Sequence, residues 1–120
     1  MYESGKVSDA VLLVRGESGR VLRVGMELEL HAKFARILAM SIHRGVQSLS
    51  TGQLDQVRYY ARSPALISNY SKAVAPGASV ETWHKVGNPG RWEIAATTPM
   101  SAKMSKAFLF FRLEASQCLL

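Results

Sequence analysis

The chain has 120 residues and a hydrophobic content of 48%, which predicts one globular domain over residues 1–120 and excludes a disordered chain. Its single cysteine, Cys118, excludes an intramolecular disulfide, and no apolar run is long enough for a transmembrane helix. The run from Ala10 to Val14 is too short for the core of a signal peptide, so we expect a cytoplasmic protein.

The formal net charge of +6 is distributed unevenly along the chain. Between Leu30 and Val80 there are six basic residues and one acidic residue, Asp55, so this segment has a net charge of +5. A block of positive charge attracts anionic partners such as nucleic acid, although surface lysines and arginines also serve solubility alone.

The first predicted elements form a β-hairpin. Residues 10–14 are apolar and predict a buried strand, and residues 16–19 supply a turn. From Val21 onward, apolar and polar residues alternate, which predicts a second, half-buried strand.

A change to helical spacing predicts the first of three helices over about residues 32–48. Apolar side chains form one face of this helix, and Lys33, Arg36 and Arg44 lie on the opposite face, where we expect them to point outward together. Gly45 is a weakness of the helix, costing about 1 kcal/mol relative to alanine.

Two further helices are predicted in the middle of the chain. A capping box at Ser50 begins the second helix, which has Arg58 and Arg62 on its outer face. The dipeptide Ser63–Pro64 begins the third helix, because serine caps a helix and proline fits its first turn, and this helix ends near Val74.

Strands return in the last third of the chain. Residues 80–86 and 91–97 flank the turn at residues 87–90 and predict a hairpin. The apolar segment Phe108–Phe111 predicts either a central strand or an edge strand covered by a partner subunit in a homodimer. We therefore expect an α+β fold with an N-terminal β-hairpin and three helices in the middle. The C-terminal antiparallel strands would pack into one sheet with helices on one face.

Three helices followed by a hairpin resemble a winged helix-turn-helix DNA-binding domain over residues 32–98. The resemblance is carried by the apolar stripe from Ala35 to Leu49 and by Leu54, Ala61, Ser63, Ile67, Val74, Gly77 and Val80. It implies that Asn69 contacts a base and Lys72 a phosphate, with Lys85 and Arg91 at the tip of the wing. The third helix departs from the usual pattern in having no arginine.

These observations favour a small basic, non-enzymatic protein that binds nucleic acid or another anionic partner through its central helices. Phosphate contacts would dominate its affinity. The candidate nucleic-acid-binding residues are Lys33, Arg36, Arg44, Arg58, Arg62, Asn69, Lys72, Lys85 and Arg91.

A small-molecule-binding domain or minor enzyme, with an aromatic pocket between sheet and helices, is the alternative. Glu27, Glu29 and His31 share one side of a strand and could act as acid and base, or could form an ordinary solvated face. Tyr59 and Tyr60 could instead stack on single-stranded bases. The candidate pocket residues are Glu27, Glu29, Tyr59, Trp83, His84 and Trp92; no catalytic residue, metal site or cofactor is predicted.

Overall fold

The computed structural model describes residues 10–33 and 35–114. Within these residues the protein is an α+β fold with six strands in two sheets and three helices. The elements are β1 (Ala10–Arg15), β2 (Val21–Glu29), α1 (Ala35–Ser50), β3 (Gln56–Ala61), α2 (Pro64–Ala73), β4 (Ser79–Val86), β5 (Arg91–Pro99), α3 (Ala102–Ser105) and β6 (Phe108–Arg112).

The larger sheet has the strand order β1-β2-β3-β6. Strands β1 and β2 form the antiparallel N-terminal hairpin, and Gly19 in its turn takes a φ of 84° that suits glycine. Strands β2, β3 and β6 run parallel, with α1 crossing from β2 to β3. The carboxyl ends of these three strands therefore lie at the same edge of the sheet.

Helices α1 and α2 cover the same face of the larger sheet, and both contact Tyr59 of β3. Ser41 of α1 lies 3.3 Å from the Tyr59 hydroxyl, and the Tyr70 ring of α2 meets the Tyr59 ring edge-on at 5.7 Å. Helix α2 begins at Pro64 because the Ser63 hydroxyl accepts a hydrogen bond from the Leu66 backbone N–H. The hydrophobic core lies in this layer between sheet and helices.

Strands β4 and β5 form a separate two-stranded hairpin that packs on another side of α1. Val80 of β4 is buried in the same core cluster as Ile42 of α1. The guanidinium of Arg36, in the first turn of α1, lies over the ring of Trp92 in β5. Helix α1 thus contacts both sheets.

The α+β class and both β-hairpins predicted from the sequence are confirmed, but strand β1 is exposed where the sequence predicts a buried strand. The helix predicted from Ser50 is also wrong. That segment turns at Gly52 and becomes strand β3, in which Val57, Tyr59 and Ala61 are buried on one face. A β-branched residue and two aromatic residues in six positions fit a strand between two neighbours better than they fit a helix.

The single C-terminal sheet is also a wrong prediction, because β4 and β5 form their own sheet while β6 joins the larger one in parallel. The third helix of the structure is the short α3, which follows the hairpin and does not lie in the middle of the chain. The winged-helix resemblance stays a prediction. Its first and third helices and its wing correspond to α1, α2 and β4–β5, and its second helix corresponds to β3.

Candidate nucleic-acid interface

Lys33, Arg36 and Arg44 do not point outward together from α1, contrary to the sequence prediction. All three are half-buried, and Lys33 precedes the helix, with its Nζ donating to Glu29 Oε2 at 2.7 Å. Burial lowers the pKa of the Arg44 guanidinium. The charges of Lys33 and Arg44 are therefore held inside the fold, whereas Arg36 reaches the hairpin of β4 and β5.

Glu27 and Glu29 lie on the helix-covered face of β2, not on a solvated face. Their exposed fractions are 7% and 2%, and they stand beside Tyr59 and Ala61 in the register of β2 and β3. Lys33 satisfies one carboxylate oxygen of Glu29, and the other, Oε1, is buried without a hydrogen-bond partner. A buried carboxylate needs such a cation close by, since burial without one is costly.

Two tyrosine hydroxyls complete this buried polar cluster, which consists of Glu27, Glu29, Lys33, Ser41, Tyr59 and Tyr70. Burial raises the pKa of Tyr59, and also that of Tyr70, whose hydroxyl accepts a hydrogen bond from the Lys33 backbone N–H at 3.3 Å. Across residues 10–33 and 35–114, no three histidine, cysteine or acidic side chains are grouped to hold a metal ion. The contacts of the cluster tie β2, β3, α1 and α2 together.

Other candidate cations lie around the larger sheet. Arg58 projects from the face of β3 opposite the helices, donates to Gln56 Oε1 at 3.1 and 3.2 Å, and lies over the Phe111 ring. Arg62 is exposed directly after β3. Asn69 and Lys72, the proposed recognition-helix residues, are exposed on α2.

Two cations, one from α1 and one from the hairpin, lie near one exposed aromatic ring of the hairpin. Trp92 has an exposed fraction of 39%, and the Arg36 Cζ atom lies 4.6 Å from the centroid of its indole ring. Lys85 stands opposite Trp92 in the hairpin register, and its Nζ atom lies 6.0 Å from the same centroid. Both distances are within the range of cation–π attraction.

An apolar side chain extends this group along β5. Ile94, two residues after Trp92, shares its side of the strand and is 47% exposed. We call Arg36, Lys85, Trp92 and Ile94 the hairpin surface. Arg91, at the same end of the hairpin but on its other side, forms an ion pair with Glu93 at 2.8 Å.

The candidate pocket residues of the alternative hypothesis fall in two places. Glu27, Glu29 and Tyr59 lie in the buried polar cluster, whereas Trp83, His84 and Trp92 lie on the hairpin. Different residues line two grooves of about 260 and 270 Å³ between α1 and the hairpin, with Val80 in the walls of both.

The sequence patterns predicted neither Ile94 as a site residue nor the two grooves between α1 and the hairpin. Trp92 and Ile94 are two positions apart in β5, so they share one side of the strand, and this spacing could have identified Ile94. The approach of α1 to the hairpin joins residues distant in sequence and leaves no comparable local pattern.

No family model, curated protein or solved structure matches this chain. Its class is therefore defined by its own geometry: an α+β protein with two sheets, a buried polar cluster and an exposed hairpin that presents cations beside a tryptophan. No helix within residues 10–33 and 35–114 is long and apolar enough to cross a membrane.

Proposed function

We propose that this protein binds nucleic acid through the hairpin surface. The observation that carries the proposal is the placement of Arg36 and Lys85 around the exposed Trp92 ring, at 4.6 and 6.0 Å from its centroid. Cations beside an exposed aromatic side chain offer charge to phosphates and a flat apolar face to a base or sugar.

The distribution of acidic residues supports this proposal. Two of the nine acidic residues, Glu27 and Glu29, are buried and face the helices. On the hairpin itself, Glu93 forms an ion pair with Arg91, and Glu81 accepts a hydrogen bond from the Trp83 indole. The chain's net charge of +6 adds a long-range attraction for a polyanion.

Salt dependence is the direct test. With two phosphate contacts, affinity for duplex or single-stranded DNA should fall about tenfold between 50 and 200 mM salt. Lys85→Glu should weaken binding on the order of tenfold, because it removes one phosphate contact and adds repulsion.

Lys103→Glu is the matched control, because it makes the same charge change at an exposed lysine in α3. Lys103 follows the other end of β5, so strand geometry separates it from Lys85 by about 25 Å. Equal losses in the two variants would place the interaction outside the hairpin surface. Failure of every nucleic acid to bind at low salt would overturn the proposal altogether.

A second candidate function, self-association through β6, is favoured by the position of that strand. Strand β6 is an edge of the larger sheet, and no strand within the described residues pairs with its outer side. Phe111 is 39% exposed there, and an open apolar edge is a template for pairing with another chain. We propose that two copies pair along this edge to form a homodimer.

Sedimentation equilibrium tests the homodimer. The wild type should sediment as a dimer, and Phe111→Lys should shift the equilibrium toward monomer by at least tenfold. Ile94→Lys, a similar change at an exposed apolar residue of the hairpin, should leave it unaltered. A clean monomer at high concentration of the wild type would remove this candidate.

A further inference from the structure

We infer that the nucleic acid recognised by the hairpin surface is single-stranded and that its bases stack on Trp92. This inference rests on the proposed function and names its partner. Trp92 and Ile94 are exposed at 39% and 47% and follow one another on the same side of β5. Phosphates bind to cations and gain nothing from contact with the apolar side chains of Trp92 and Ile94. We therefore expect these two side chains to contact an apolar part of the ligand.

Base faces are the apolar part of a nucleic acid, and only an unpaired strand offers them. In a duplex the bases stack on one another, so a protein surface meets phosphates, sugars and base edges. In a single strand each base can leave its neighbours and stack on an aromatic side chain. An exposed indole between two cations therefore complements a single strand better than a duplex.

Arg36 and Lys85 are placed to hold the backbone of such a strand. One comes from α1 and the other from β4, so they reach Trp92 from different elements of the fold. The planar Arg36 guanidinium already lies over the indole, and it can keep this contact while it donates to a phosphate. The positive charges then contact the backbone while a base occupies the exposed part of the ring.

The tyrosine pair proposed from the sequence does not offer an equivalent platform. Tyr59 is 1% exposed and lies under the helices. The Tyr60 ring is half-buried and already stacks on Phe111, with ring centroids 5.1 Å apart. Trp92 is therefore the better placed of the exposed aromatic rings for a base.

The experiment uses the two tryptophans of the chain. Trp83→Phe leaves Trp92 as the only indole, so its fluorescence reports on the hairpin surface. Three probes of equal length are titrated: a single-stranded oligonucleotide, its duplex, and a single strand of abasic sites, which keeps the phosphates and lacks the bases. We expect the normal strand to quench Trp92 and to bind about tenfold more tightly than the abasic strand.

Trp92→Leu should abolish the preference for the normal strand over the abasic strand, and Trp92→Phe, which keeps a ring, should retain part of it. Equal affinity for normal and abasic strands in the wild type, or tighter duplex binding without quenching, would overturn this inference and leave the proposed function standing. No binding of any probe at low salt would instead overturn the proposed function, and this inference with it.

Discussion

Two ion pairs in this protein have nearly the same length and very different surroundings. Lys33 Nζ lies 2.7 Å from Glu29 Oε2, and Arg91 Nε lies 2.8 Å from Glu93 Oε2. The side chains of the first pair are 27% and 2% exposed, and those of the second are 78% and 44% exposed. Distance alone therefore does not indicate what a pair contributes.

The surroundings assign different roles to the two regions. In the buried polar cluster, Lys33 offsets a carboxylate that has lost its water, so its loss would leave an uncompensated charge. On the hairpin, water and salt already screen both partners, and the pair adds little to stability. Charge in the first region stabilises the fold, whereas charge in the second is exposed to solvent.

The largest expected effect comes from removing one partner of the buried pair. Lys33→Ala should lower the free energy of unfolding by about 2 kcal/mol, because Glu29 is left buried without its cation; the partly exposed ammonium keeps the loss below that of a fully buried pair. Arg91→Ala, the matched change in the exposed pair, should lower it by less than about 0.5 kcal/mol. Urea denaturation of both variants measures the difference.

Nucleic-acid affinity should also distinguish the buried ion pair from the exposed one. Folded Lys33→Ala protein should bind with wild-type affinity, whereas Arg91→Ala should bind a few times more weakly, because it removes a cation near the hairpin surface. If Lys33→Ala and Arg91→Ala lost similar amounts of unfolding free energy, burial would not explain the contribution of either ion pair to stability.

The second largest expected effect concerns the Tyr59 hydroxyl, which lies between β3 and α1. Tyr59→Phe removes the 3.3 Å contact with Ser41 Oγ in a buried position and should cost about 1.5 kcal/mol of unfolding free energy. Tyr60→Phe is the control, since Tyr60 is half-buried on the other face of β3, where its ring stacks on Phe111. Thermal unfolding of the two variants should separate them, and equal melting temperatures would contradict the structural role of the cluster.

Local sequence patterns predicted much of the fold. Alternation in β2, the helical spacing of α1, the Ser63–Pro64 start of α2 and the turn before β5 each depend on neighbouring residues, and each element is present. The capping signal at Ser50 predicts a helix, but the residues that follow alternate between buried and half-buried positions and form strand β3. The sheet that surrounds β3 is formed by strands distant in sequence and leaves no local signal.

The candidate site was predictable only in part. The sequence predicts Lys85 at the tip of a wing and Trp92 in an aromatic pocket, and both residues lie on the hairpin surface. Glu27 and Glu29 were expected on a solvated face or in a pocket, because an alternating strand does not reveal which side the helices cover. A carboxylate on the covered side of the strand needs a cation close by, and Glu29 has one in Lys33, four residues further along the chain.

A third prediction compares how tightly the two regions are packed, by adding a Cβ atom at Gly45 of α1 and at Gly90 of the hairpin. A Cβ atom at Gly45 of α1 would lie 3.0 and 3.2 Å from two ring carbons of the buried Phe108. We expect Gly45→Ala to lower the unfolding free energy by about 1 kcal/mol, because the strain exceeds the helix-propensity gain. The sequence alone predicts the opposite sign.

Gly90→Ala provides the comparison on the hairpin. Its Cβ atom would meet Lys85 carbons at 2.6 to 2.9 Å, closer than at Gly45, but an exposed lysine chain can swing aside. The change in unfolding free energy should stay below about 0.5 kcal/mol, and nucleic-acid affinity should change because Lys85 moves. A stabilised Gly45→Ala variant would show that the Phe108 ring can give way.

The smallest expected effect concerns Asp55. Its side chain is 18% exposed, which is between the exposures of Glu29 in the buried pair and Glu93 in the exposed pair. The hydrogen bond from the Arg23 backbone N–H, at 2.8 Å, holds the pKa of Asp55 below its ordinary value, and the Arg23 and Arg20 guanidinium groups lower it further. A carboxylate with a lowered pKa in the folded state stabilises the protein above its ordinary pKa of 3.8. That contribution is lost as the pH falls through the lower value.

Asp55→Ala, which removes both the charge and the hydrogen-bond acceptor, should therefore be less stable than the wild type by an amount that is constant near neutral pH and shrinks below about pH 4. Urea denaturation at several pH values measures this difference, and repeating it in 1 M salt separates the causes. Salt screens the attraction of the exposed guanidinium groups but hardly affects a backbone hydrogen bond, so most of the difference should survive. A difference that vanishes in salt would place Asp55 with the exposed pair of the hairpin, and one that persists would place it with the buried pair under α1.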